Sequence, residues 1–163
     1  MGKLNSFNVG PHREVIGNMC FNSGLCVAGT TGITTTVAIQ YSVNGTFAVA
    51  RAALTNNIIT NIAGPLNGVS VTSYTAPAGV TFYLVFCLDA AGLVSVVQGS
   101  FAGQALGGGA IGDGAVPDIA STLTAFAMAR VVTTGPFTAG TTAFGTLNTA
   151  TFFNLSCLPP NNP

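Results

Sequence analysis

The sequence predicts an all-β domain, a β-sandwich or jelly-roll-like fold of short strands with one long Gly-rich loop. Three observations predict it. Several stretches alternate apolar and polar residues with period two and are rich in Val, Ile, Thr and Phe. Gly, Pro and Asn punctuate those stretches at the short intervals of sandwiches and jelly rolls. No stretch carries a clean helical period, and no repeat of solenoid length is present. The 163 residues suit one domain. Residues 1–19 read as an N-terminal arm or irregular segment, residues 20–158 as the single all-β domain, and residues 159–163 as a short tail.

The arm mixes Lys3, His12, Arg13 and Glu14 with Phe7, Val9, Val15 and Ile16, and Gly10-Pro11 breaks any helix. It packs on a neighbouring subunit or locally. Residues 20–32 are turn-rich. In residues 33–43, Val37, Ile39, Tyr41 and Val43 fall on one face and Thr36, Ala38, Gln40 and Ser42 on the other, the pattern of a half-buried strand. Asn44-Gly45 then marks a type I′ hairpin, because both central residues of that turn need positive φ. The return strand covers residues 46–54, with Phe47, Val49, Arg51 and Ala53 on one face. Arg51 belongs there at a rim or beside a carboxylate, its stem along apolar surface. Residues 55–68 read as a loop with a short strand at 58–62, residues 69–74 as an alternating strand, and residues 75–79 as a turn.

The chain is organised around residues 79–99. Two apolar runs, 80–88 and 93–97, flank Asp89-Ala90-Ala91-Gly92. Asp caps its own turn and Gly takes the positive φ, so the stretch predicts a hairpin. The first run is apolar on both faces: Phe82, Leu84, Phe86 and Leu88 on one, Tyr83, Val85 and Cys87 on the other. A strand with two dry faces lies inside a core or between a core and a partner subunit.

Residues 100–118 hold six Gly and two of the four acids, too much Gly for a core strand. They predict a long surface or inter-subunit loop. Gly107-Gly108-Gly109 and Gly112-Asp113-Gly114 match neither the P-loop, which needs Gly-Lys-Ser/Thr, nor the dinucleotide fingerprint. Asp113 and Asp118 do not make a calcium site, which wants six or more oxygens. Residues 125–133 predict a strand, with Phe126, Met128, Arg130 and Val132 against Ala127, Ala129 and Val131; residues 119–124 stay open between helix and strand. Gly135-Pro136 turns the chain, residues 137–145 connect, and the last strand covers 147–158 before Pro159-Pro160. Seven to nine strands result.

Composition bounds the role. Charged residues make up 5% of the chain and the net charge is zero, against ~25% charged in ordinary soluble domains. A free monomer so weakly charged is poorly protected against association. Membrane residence is disfavoured by pattern: no apolar run reaches spanning length, and the strands lack the regular spacing and aromatic girdles of outer-membrane barrels. Coverage by partners is the better account. The opening lacks the apolar run of a signal peptide, so no secretion is expected, and the sequon Asn44-Gly45-Thr46 is set aside. Met1-Gly2-Lys3-Leu4-Asn5-Ser6 has the form of a myristoylation signal, with no second anchoring signal after it. Cys20, Cys26, Cys87 and Cys157 lack zinc spacing and read as reduced thiols, with a Cys20–Cys26 bond the minority alternative and Cys87 an apolar filler.

No catalytic constellation is visible. One His sits in the arm, no Ser has the nucleophile-elbow context, and the paired acids lie in a Gly-rich loop. Four dispersed cations make no nucleic-acid face. Phe at alternating strand positions reads as core rather than as a sugar platform. The expectation is no enzyme, no metal and no cofactor.

Three motifs in order, Tyr41-Ser42-Val43-Asn44-Gly45-Thr46-Phe47, Val85-Phe86-Cys87-Leu88-Asp89-Ala90-Ala91-Gly92 running into Val94-Ser95-Val96-Val97-Gln98-Gly99, and Phe137-Thr138-Ala139-Gly140-Thr141-Thr142-Ala143, resemble small virion structural proteins of tailed bacteriophages. The resemblance spans about residues 35–155, its central motif being the most specific, and the Gly-rich loop and cysteines depart from it. It implies a capsid decoration (cement) protein on the outer surface of the head, made in the host cytoplasm, with the major capsid protein as partner and no catalytic residues. A homo-oligomer is expected, a trimer first, since closed symmetry avoids runaway association. Candidate interface residues are Tyr83 and Val85 on the second face of the central strand and Gly107, Gly108, Gly109 and Asp113 in the long loop. The alternatives are a fibre or spike module that binds a glycan or receptor, with exposed aromatics clustered on loops, and a surface bacterial β-protein, disfavoured by the missing signal.

Overall fold

The computed structural model describes residues 18–48, 50–57, 75–99, 101, 114–138, 141–144 and 148–156. Among them the chain forms strands and no helix. In order these are β1 (Met19–Asn22), β2 (Cys26–Ala28), β3 (Ile33–Thr35), β4 (Gln40–Val43), β5 (Thr46–Phe47), β6 (Thr75–Ala76), β7 (Thr81–Leu88), β8 (Val94–Gln98), β9 (Thr124–Thr133), β10 (Phe137–Thr138) and β11 (Asn148–Asn154). The predicted strands at 58–62 and 69–74 lie outside the described residues.

The long strands build one antiparallel sheet, ordered β11-β9-β7-β8. Its inner face carries Phe82, Leu84, Phe86 and Leu88 of β7, flanked by Val94 and Val96 of β8 and by Ala127, Ala129 and Val131 of β9. Against it pack the small sheets β1-β4-β5 and β2-β3, which contribute Cys20, Cys26, Ile33, Ile39, Tyr41 and Val43 to the same core. This is a sandwich-like all-β architecture. A chain of Phe contacts runs from exposed Phe101 into the core: Phe101, Phe82, Phe137, Phe144, Phe152, Phe86 and Phe126, each centroid 5.6 to 6.4 Å from the next. Edge-to-face and offset pairs at this spacing add about 1 kcal/mol each beyond burial.

Both hairpin turns form as predicted. Asn44 and Gly45 have φ of 51° and 74°. At the central turn Asp89 Oδ1 accepts hydrogen bonds from the backbone N–H of Ala91 and Leu93, each at 2.9 Å, and Gly92 has φ of 83°. The expected strand at 33–43 is interrupted at residues 36–38. Thr35 Oγ1 donates to the Val37 carbonyl at 3.1 Å and accepts from the Leu54 N–H, so a side chain takes up one local and one distant backbone group and ends the ladder. Val37 therefore turns outward, while Ile39, Tyr41 and Val43 keep the predicted buried face. The return strand stops at Phe47, which points to solvent; beyond it the chain stays beside residues 33–41 through the Ala48 N–H on the Tyr41 carbonyl, a bridge of Arg51 to Ile39, the Thr35 N–H on the Leu54 carbonyl and a bridge of Asn57 to Ile33.

The strand expected at 125–133 is β9, one residue longer, with one correction. Phe126 does not share a face with Met128 and Arg130. Cys87 pairs with Ala125 and Phe86 with Ala127, leaving Phe126 as the extra residue of a β-bulge, and its ring enters the main core beside Phe86. β11 ends at Asn154, earlier than predicted, as its last backbone bond runs from Leu155 to Phe126.

Candidate interaction surface

The outer face of the large sheet divides in two. On the β7–β8 half, Val85, Cys87 and Val97 form a second small core, closed by Ile119 and Leu123 from the irregular segment 114–123 and by Ala125 and Met128 of β9. This segment is held close: a Cβ at Gly99 would overlap the carbonyl oxygen of Ala115. The chain thus supplies its own cover for much of the second dry face. On the β9–β11 half, Thr149, Thr151 and Phe153 are exposed, and Arg130, Met128 and Val132 are half-buried.

These placements locate the predicted interface residues. Val85 is 3% exposed and engaged inside the subunit. Tyr83 lies across from Arg130, half-buried, at the border between the two halves. Gly107, Gly108, Gly109 and Asp113 lie outside the described residues.

The sequence reading missed an aromatic pair on the opposite layer. Phe21 of β1 and Phe47 of β5 stack with centroids 5.0 Å apart and planes at 19°, and Phe47 is 77% exposed. Ser42 pairs with both Met19 and Phe47, which puts the pair on the outer side of the small sheet. The signal was the register imposed by Asn44-Gly45: once Val43 points inward, Phe47 opposite Ser42 points out. Asn44 and Thr46 are exposed at the adjoining turn, and no charged residue occurs in either strand.

Polar chemistry gathers at the central turn. The Tyr41 hydroxyl donates to the Asp89 carbonyl at 2.9 Å. Burial raises the Tyr41 pKa, as does the Asp89 charge, against the opposing pull of Arg51. The Arg51 Nε is buried with no hydrogen-bond partner among the described residues. The cluster offers no nucleophile–base pair and reads as a fastening of the first layer to the hairpin. No group of metal-ligating side chains occurs among the described residues. Cys26 and Cys87 are buried thiols, and desolvation pushes both up to about 12, which makes them poor nucleophiles; Cys20 is buried in the main core.

No family model, curated protein or solved structure matches the chain. Leu25, Val27, Val37, Phe47, Leu93, Val116, Phe153 and Leu155 are exposed on a chain with almost no charge. Among the described residues no helix is long and apolar enough to cross a membrane.

Proposed function

We propose that the chain is a non-enzymatic virion structural protein, a decoration protein that binds the outer surface of a phage head through the major capsid protein. The observation that carries the reading is the nearly uncharged surface bearing isolated large apolar side chains on both layers. Such a surface suits lasting contact with a shell and with copies of the chain better than life as a free monomer. The motif resemblance points the same way. The test is to mix purified protein with undecorated heads of a tailed phage and pellet them. Co-sedimentation that saturates at a fixed ratio supports the reading; protein left in the supernatant at all ratios removes it. Tyr83→Asp is expected to fold normally and to pellet at least tenfold less well.

A second reading, a glycan- or receptor-binding module, is favoured by the Phe21–Phe47 stack at a hairpin tip. An exposed ring on two strands without charge is chemistry suited to stacking on a neutral sugar. Binding on a glycan array that is lost in Phe47→Ser would move this reading to first place.

A further inference from the structure

The two edges of the large sheet are unlike. At one edge β8 is buried along its whole length. At the other, β11 has a backbone ladder only with β9 among the described residues, β2 touches its C-terminal end where the Cys26 N–H bonds Asn154 Oδ1, and Thr149, Thr151 and Phe153 are exposed. Its bond to β9 fixes which backbone groups are spare. Leu155 donates to the Phe126 carbonyl, so alternate residues 149, 151 and 153 face β9. The N–H and C=O groups of Ala150, Phe152 and Asn154 point away from the sheet. Natural edge strands are guarded by Lys, Pro, a bulge or a covering element. β11 reads Asn-Thr-Ala-Thr-Phe-Phe-Asn, with no charge and no Pro, and its ladder to β9 is regular over all seven residues.

We propose that β11 pairs antiparallel with β11 of a second copy of this chain, about a two-fold axis at Thr151, joining two four-stranded sheets into one. The sequence of the strand is complementary to itself in that register. Ala150 meets Phe152 on the inner face, Thr149 meets Phe153 on the outer face, and Thr151 meets its own copy. Each Phe thus finds a small or β-branched partner, the combination that stabilises cross-strand pairs. A shift of the axis to Phe152 would set two Phe rings against each other and Asn154 over Ala150. The spare groups of Ala150 and Phe152 face one another in the Thr151 register and bond reciprocally. The inner face gains continuity, because Phe152 already contacts Phe86 and Phe144. The strand itself carries no charge; the nearest cation, Arg130, lies one strand in, across from Thr151. This contact closes after two copies, unlike the cyclic trimer expected from the resemblance, and it does not depend on binding to a shell.

The test is cross-linking in the full chain with Cys157→Ser, where the described native thiols are buried. Facing residues of such a pair have Cβ atoms close enough for a disulfide. Thr151→Cys is expected to form a dimer under mild oxidation on the order of tenfold faster than Thr46→Cys, an exposed control on the other layer. Thr151→Lys, which sets two cations face to face, is expected to reduce the wild-type mass by half in light scattering, with the β-sheet spectrum retained. Cross-linking of Thr151→Cys no faster than the control overturns the proposal, whatever the mass of the particle. So does a wild-type mass that Thr151→Lys leaves unchanged.

Discussion

Asp89 sets the central hairpin with one carboxylate oxygen, which accepts from two backbone N–H groups of its own turn. Asp89→Ala leaves both donors to water and frees the turn; a loss of about 1–2 kcal/mol is expected in urea unfolding, with sheet content unchanged. Asp89, Gly92, Asn44 and Gly45 were legible because their conformations are local: the residue type and its neighbours within the turn decide φ. Thr35 was not. Its hydroxyl serves Leu54, nineteen positions away, and that bond ends a strand which the alternation of residues 33–43 extends. Phe47 was legible only in part, since its direction follows from the register with Ser42 rather than from its own face of the pattern.

Among elements, the segment 114–123 is the least regular and the most telling. It forms no strand, so Ile119 and Leu123 hold it to β7 and β8 by side-chain contact. Two anchors without a period left residues 119–124 ambiguous in the sequence. Ile119→Asp places a carboxylate over Val85, Cys87 and Val97 and is expected to lift this cover while the inner core stays packed. The readout is the thiol of Cys87, fully buried in the native chain. Its alkylation, followed by peptide mass, is expected to accelerate on the order of tenfold or more, and an unchanged rate would show that the cover is held elsewhere. The strand β9 teaches the reverse lesson. Its long alternation was easy to see, yet the bulge at Phe126 inverts the faces of the residues before it, and a bulge depends on the partner strand.

For the molecule as a whole, fold class was readable because hairpin signals and period-two runs agree along the chain; the identity of the partner surface was not, since exposure depends on how the layers close. Stability in alkali reports on both cores at once. Cys26 lies in the main core and Cys87 in the second, and burial pushes each from an ordinary value of 9.0 to about 12. The folded chain therefore keeps protons that the unfolded chain releases above pH 9. The stabilisation is fully present below that pH and is lost as pH rises toward 12. Each thiol is expected to favour unfolding by up to about tenfold per pH unit in this window. Urea midpoints at pH 8, 9, 10 and 11 check this, and Cys87→Ala, weaker at every pH, is expected to have a shallower slope, the remainder coming from Cys26 and, above pH 10, from Tyr41, whose pKa burial also raises.

The order of strands carries a last consequence. β9 and β11 come late in the chain, yet β9 lies against β7, and early residues reach across to them. Asn18 bonds the Ser121 carbonyl, Thr124 the Ser42 carbonyl, and Asn154 accepts from Cys26 across 128 positions. These bonds and the shared core tie early strands to late ones, so the folded particle is expected to hold together when the backbone is cut between Phe101 and Gly114. Limited proteolysis that severs the backbone there is expected to yield two fragments that co-elute as one particle and part only in denaturant, and two separately expressed pieces cut at that place are expected to reassemble when mixed. Fragments that drift apart in native buffer would show that the seam between early and late strands is weaker than its hydrogen bonds and shared core imply.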